Sequence, residues 1–294
     1  MKKNFHLKIS SEAEDYGVPL GWPPHFLSYL GYLIVVMTAI TLGAAVARAQ
    51  ALSGEEMMRR SHLARYYPGK DMQAKVTMRL ISNEGKERLR AFTLSRYNLS
   101  EGGEQRSFIY FHRPPDVRDM ALLVWSDPNR DDDRWLYIPA VKQVRRIAAS
   151  DKHTSFVGSD FSYEDVSGRD PEDDSHKLLR EEKMAGEEAY VLESIPRDMS
   201  SADFSRKVSW IDKVTFLPLR EESFDLRGDL ARLFTGEEMK EVQGFWTITK
   251  RIMKNVQSGH WTEVIFSEVR YNRKLSPEVF SERSLRAPPA ELTK

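Results

Sequence analysis

Arg134 to Asp165 reads RWLYIPAVKQVRRIAASDKHTSFVGSDFSYED. Trp135, Leu136, Tyr137 and Ile138 open it with the aromatic and branched residues that favour a strand. Pro139 and Ala140 break that strand, and Lys142 to Ile147 form a basic return strand. A polar loop with Ser and Gly follows, and it carries Phe156, Phe161 and Tyr163. Three large aromatics in one loop are expected to rest on something apolar.

Outward from this stretch the period is two. Met72, Ala74, Val76, Met78 and Leu80 alternate with Gln73, Lys75, Thr77 and Arg79, giving a strand with one apolar face. Asn83-Glu84-Gly85 turns the chain, and residues 89–97 alternate again, with Phe92 and Leu94 between Arg90 and Arg96. Glu101-Gly102-Gly103 leads into a strand over 107–112, and further strands are expected at 120–125, 135–138, 144–147, 177–181, 189–195, 206–211, 217–224, 245–253 and 261–269. Strands this closely spaced by turns predict a mainly β fold, an antiparallel sheet that curls. No βαβ rhythm and no repeat of fixed period is present. One helix precedes the sheet: Ser53-Gly54-Glu55-Glu56 fits a capping box, with Leu52 and Met57 placed for a hydrophobic staple, and it should run to about Arg65. Ser276-Pro277 is placed to start a short last helix. The charged loop GRDPEDDS, 168–175, reads as a connection between two halves of one sheet.

The order WLYIPA, then VRRIAASDK, then F-x-GSDFSYED resembles the outer-membrane lipoprotein-sorting family, periplasmic proteins similar to the carriers LolA and LolB. The resemblance runs from about Leu52 to Leu285. It implies a strongly curved antiparallel sheet forming an unclosed β-barrel, with a few helices over its open mouth. It also implies a carrier for lipid or lipoprotein acyl chains, in lipoprotein sorting or lipid export, and an inner-membrane exporter as a partner.

The first fifty residues read differently. From Phe26 to Ala47 there is no charged residue over 22 positions, and Ala47-Arg48-Ala49 is a small-x-small cleavage pattern before Gln50. Residues 1–49 are expected to be a signal peptide, leaving 50–294 as one domain in the periplasm. An uncleaved inner-membrane anchor is the alternative, since 22 apolar residues can span a bilayer. Residues 1–49 hold four basic and three acidic side chains out of 44 of each, leaving 40 and 41 beyond them. That near-neutral balance argues against nucleic acid, whose binding rests on phosphate neutralisation. The absence of cysteine excludes disulfides, thiolate metal sites and lipid attachment at an N-terminal Cys.

No catalytic constellation is present, and neither a metal site nor a cofactor is expected. The seven histidines are scattered without metal-ligand spacing, and there is no G-x-S-x-G elbow. Asp127-Pro128-Asn129-Arg130-Asp131 mimics the start of a calcium loop but lacks its glycine and its bidentate Glu, so a solvated turn is the better reading. Asp160, Glu164 and Asp165 could latch to Arg145 and Arg146. Met78, Phe92, Trp125, Trp210, Trp246 and Phe266 are the candidates for the concave side and the lining of a ligand cavity. Phe156, Phe161 and Tyr163 are the candidates for a flap over it. The alternatives are a static loop and a filled core, which would make the chain a non-catalytic interaction subunit of an export complex. A hydrolase acting on lipid or envelope polymers is a further rival.

Overall fold

The computed structural model describes residues 52–293, so the expected signal peptide or anchor lies outside the described residues. Helix α1 (Gly54–Tyr66) precedes thirteen strands. These are β1 (Asp71–Ile81), β2 (Glu87–Asn98), β3 (Gln105–Arg113), β4 (Ala121–Asp127), β5 (Arg130–Ile138) and β6 (Gln143–Ile147), then β7 (Asp174–Met184), β8 (Glu187–Pro196), β9 (Arg206–Asp212), β10 (Pro218–Phe224), β11 (Leu230–Val242), β12 (Phe245–Asn255) and β13 (Trp261–Tyr271). A short helix α2 (Tyr163–Ser167) lies between β6 and β7, and α3 (Glu282–Arg286) and α4 (Ala290–Thr293) follow the sheet.

All thirteen strands make one antiparallel sheet, in the order β6-β5-β4-β3-β2-β1-β13-β12-β11-β10-β9-β8-β7. Two meanders of hairpins, β1–β6 and β7–β13, meet where β1 pairs with β13, with Met78 opposite Val264 and Val76 opposite Phe266. Strands β6 and β7 are the two free edges, so the barrel is unclosed. The segment between them, residues 148–173, straps one edge to the other, as the reading of its GRDPEDDS end as a connector anticipates.

The strap and α1 lie on one face, which we term inner. Alternation places Met72, Ala74, Val76, Met78 and Leu80 on it, all buried, together with Phe92, Leu94, Ile109, Phe111 and Val264. The outer face of β3 to β5 is buried as well: Phe108, Ala121 and Leu123 pack under Leu275, Phe280, Leu285 and Leu292 of the C-terminal segment. Asp71 fixes where that segment departs, accepting the N–H groups of Arg273, Lys274 and Leu275 at 2.7, 2.9 and 3.2 Å. Each apolar side chain buried this way contributes roughly 1.5–3 kcal/mol.

Several expectations are corrected. Strand β11 was not anticipated, because Gly236 and the register shifts around Glu238 interrupt its alternation. The capping box of α1 is half-formed: Ser53 Oγ accepts from Glu56 N at 3.1 Å, but the Glu56 carboxylate turns to Arg59 and Arg60 instead of back to the cap. Leu52 packs against the cluster of Met57, Leu192 and Ile211, the side on which a staple would place it. Ser276-Pro277 begins only a 3-10 turn, Pro277–Val279, with no side-chain cap. The latch to Arg145 and Arg146 is absent. Asp165 pairs with Arg232, Glu164 with Lys152 and Arg169, and Asp160 accepts from Thr262, while Arg146 pairs with Asp133.

A candidate ligand cavity with buried arginines

The cavity lies between the inner face, α1 and the strap. Its floor includes Met78 of β1, Phe92 and Leu94 of β2, Ile109 of β3 and Val264 and Phe266 of β13. Ala64, Arg65 and Tyr66 of α1 form one wall, and Phe156, Phe161, Asp165 and Val166 of the strap form the other. Free space amounts to about 70 Å³. That is room for about five waters, at the roughly 10–15 Å³ each needs in this measure. The interior is apolar and nearly filled.

Four of the six expected lining residues reach this cavity: Met78, Phe92, Phe266 and Trp246. Trp246 sits at its rim and is 44% exposed. Trp125 and Trp210 face the other way. Trp125 has the parity of Leu123, not of Leu122 and Val124, and its indole N–H donates to Phe280 O at 3.0 Å on the outer face. Trp210 stands opposite Val191 and clusters with Ala189 and Val208, whereas α1 packs on Leu192 and Ile211 of the opposite parity.

The strap places all three of its aromatics in the core. Phe156 is 2% exposed and sits edge-on to Phe92, with centroids 6.2 Å apart, and to Tyr163 at 5.7 Å. Phe161 is equally buried. The serines of this loop tie it in place. Residues 154–163 form a small hairpin in which Phe156 N donates to Phe161 O at 2.8 Å. Ser155 Oγ donates to Ser159 O, Ser159 Oγ donates to Phe156 O, and Ser162 caps α2 in a full capping box with Asp165. Val157 and Gly158, at φ +51° and +79°, make the hairpin's left-handed turn.

The polar part of the cavity is cationic, and this was missed from sequence. Arg65, Arg96 and Arg251 line it, with Arg232 beside them holding Asp165. Arg65 is matched by Glu221 at 2.8 Å. Burial opposes the charge of Asp165, but Arg232 and the Ser162 N–H outweigh it and hold the carboxyl down at about 2. Arg96 is 7% exposed, and among the described residues its side chain makes one hydrogen bond, Nη1 to Tyr66 O at 3.1 Å. Arg251 is half-buried, its side chain makes no hydrogen bond to any described residue, and its guanidinium lies over the rings of Phe266 at 4.7 Å and Phe161 at 5.5 Å. The Nε atoms of both are enclosed without a partner. Desolvation, then repulsion from Arg65 and Arg96, lowers Arg251 to about 9. Burial lowers Arg96 as well.

One signal could have found Arg96. It shares the inward parity of Phe92 and Leu94, and an arginine on an apolar parity points inside. Arg251 gives no such sign, because a bulge against β11 changes the parity of β12 between Ile248 and Arg251.

Comparison with known proteins agrees with this architecture. A family profile described only as an uncharacterized protein matches residues 103–287. No curated protein matches. Among solved structures, a DUF1329 family protein from Desulfovibrio piger is 30% identical, with a TM-score of 0.73 over 78% of this chain and 97% of that one. A domain from Vibrio parahaemolyticus described as an outer membrane lipoprotein-sorting protein is 32% identical, also at 0.73, over 79% and 98%. A LolA superfamily protein from Nitrosomonas europaea shares the fold at 22% identity and a TM-score of 0.62, over 79% and 99%. The strand, return strand and aromatic loop that pointed to lipoprotein sorting thus lie on the matching architecture, and the chain belongs with the DUF1329 and outer-membrane lipoprotein-sorting proteins, on the LolA fold.

Proposed function

We propose that the protein is an exported, non-enzymatic periplasmic carrier that shelters an acyl chain of a lipid or lipidated protein inside its unclosed barrel. The observation that carries this reading is the apolar inner face roofed by two pieces, α1 and the strap, neither of which is a strand of the sheet. Cargo enters by displacing Phe156 and Phe161. Expelling two buried phenylalanines costs roughly 3–6 kcal/mol. Burying an acyl chain returns roughly 0.8 kcal/mol per CH₂, so about four to eight methylenes offset that cost. Chains of ordinary membrane-lipid length exceed it, and short ones do not.

The nearly filled interior favours a second reading, a non-catalytic periplasmic subunit of an inner-membrane exporter with a permanent core. Solvent extraction and mass spectrometry of protein purified from the periplasm separate the two. A carrier yields near-stoichiometric acyl lipid, or takes it up from vesicles. A lipid-free chain that takes up none is the interaction subunit. Intact mass of the same sample tests export, with Gln50 expected as the first residue and a membrane-retained full-length chain as the contrary result.

A further inference from the structure

Arg65, Arg96 and Arg251 line the cavity with Arg232 beside them, and among the described residues two carboxylates pair closely with this group, Asp165 and Glu221, with Asp203 at 4.0 Å from Arg232. The two carboxylates are taken by Arg232 and Arg65, which leaves Arg96 and Arg251 without an anion among the described residues. Lys207, whose charge also reaches Asp165 and Glu221, adds to the excess.

Buried charges are normally paired, and a hydrophobic residue of similar size in such a place is usually no worse for stability. The surroundings of Arg96 and Arg251 hold the two guanidiniums without neutralising them. Arg251 is laid on the faces of Phe266 and Phe161, and Arg96 on that of Tyr66 at 5.5 Å. Stacking occupies the planes and leaves N–H edges for another partner. A guanidinium edge fits a carboxylate or phosphate through paired hydrogen bonds. Opposite Arg251 on β11 stands Gly236, which offers no side chain to cover it. The remaining free space borders both arginines and runs onto Met78, Leu94, Ile109 and Val264.

We infer that Arg96 and Arg251 form a headgroup site: they take the phosphate or carboxylate of an anionic amphiphile whose acyl chain enters the apolar cavity beside them. This rests on the carrier reading and adds to it the chemical class of the cargo. An uncharged acyl chain would leave both arginines desolvated and unpaired, so the cavity selects against it.

Calorimetric titration of the delipidated full-length mature chain tests this with decyl phosphate, decanol and inorganic phosphate. Decyl phosphate should bind about tenfold or more tightly than decanol, the worth of a charge-assisted hydrogen bond. Inorganic phosphate alone should bind far more weakly than decyl phosphate. In the Arg96→Gln/Arg251→Gln double variant the ratio between decyl phosphate and decanol should fall towards one. If that variant does not fold, as judged by its melting curve, Arg251→Gln alone should reduce the ratio several-fold. Equal binding of decyl phosphate and decanol to the unmodified protein overturns the headgroup site and leaves the carrier standing. Binding of neither overturns both. Inorganic phosphate binding as well as decyl phosphate makes this a free-anion site, and a ratio unchanged in the variants moves the site elsewhere; either result overturns the inference.

Discussion

Arg232 of β11 reaches across the barrel interior to hydrogen-bond Asp165, the residue that also closes the capping box of α2. One carboxylate thereby fixes the start of a helix and ties the strap to the sheet 67 residues further along the chain. Asp165→Asn should cost about 2 kcal/mol, since it leaves the half-buried Arg232 with Asp203, 4.0 Å away, as its remaining counter-charge. The folded state holds Asp165 at about 2, below its ordinary 3.8. Its contribution is therefore complete above pH 4 and is lost as pH falls towards 2. Urea melts between pH 2 and 5 should show this loss in the parent and not in the variant.

His62 acts in the same direction but over a higher pH range. Burial, then the charges of Arg65 and Arg96, lower it to about 4, so it stays neutral in the folded protein at pH 5. The unfolded chain takes up that proton near 6.5. Stability should fall as pH drops from 7 to 4, by on the order of 2 kcal/mol. His62→Leu should flatten that part of the pH profile, measured by chemical denaturation.

Replacing Phe156 and Phe161 together by Ser should destabilise the protein by several kcal/mol, because each truncated core Phe costs roughly 3–5. Both are buried in the inner core rather than resting on its surface. Thermal denaturation measures the cost. A melting point that hardly moves, with lipid uptake abolished, would mean that the hairpin is a loose flap after all.

Arg251→Met should stabilise the chain by about 1 kcal/mol, since it exchanges a half-buried charge with no side-chain partner among the described residues for a side chain of similar length. Guanidinium melts at pH 7 check this. A loss of stability would mean that the stacking on Phe266 and Phe161 outweighs desolvation.

The sheet was legible where one face is dry and the other wet. In β1, Met72 to Leu80 alternate cleanly, and every one of the five apolar residues is inside. The reading failed where both faces are buried. Leu122, Leu123 and Val124 are all at most 1% exposed, because the C-terminal segment covers the far side of β4, and no alternation then says which way Trp125 points. Strand β11 was lost to Gly236 and its bulge, and the same irregularity concealed Arg251. The strap's aromatics were found, but the sequence left their setting open between a flap and a static core loop. Ser155, Ser159 and Ser162 look flexible as composition and act as hydrogen-bonding partners in the hairpin.

The pairing of β1 with β13 has a consequence for how the molecule is made. Arg79 and Glu263 meet across that joint, 184 residues apart in the chain. Each meander can form from neighbouring hairpins as it emerges, but the seam between them closes a very long loop, and such contacts come late in folding. A chain made from its N-terminus therefore carries β1 with one edge unsatisfied until β13 has been synthesised. Through most of translation it stays an incomplete sheet, the state in which a polypeptide can still be threaded through a membrane pore.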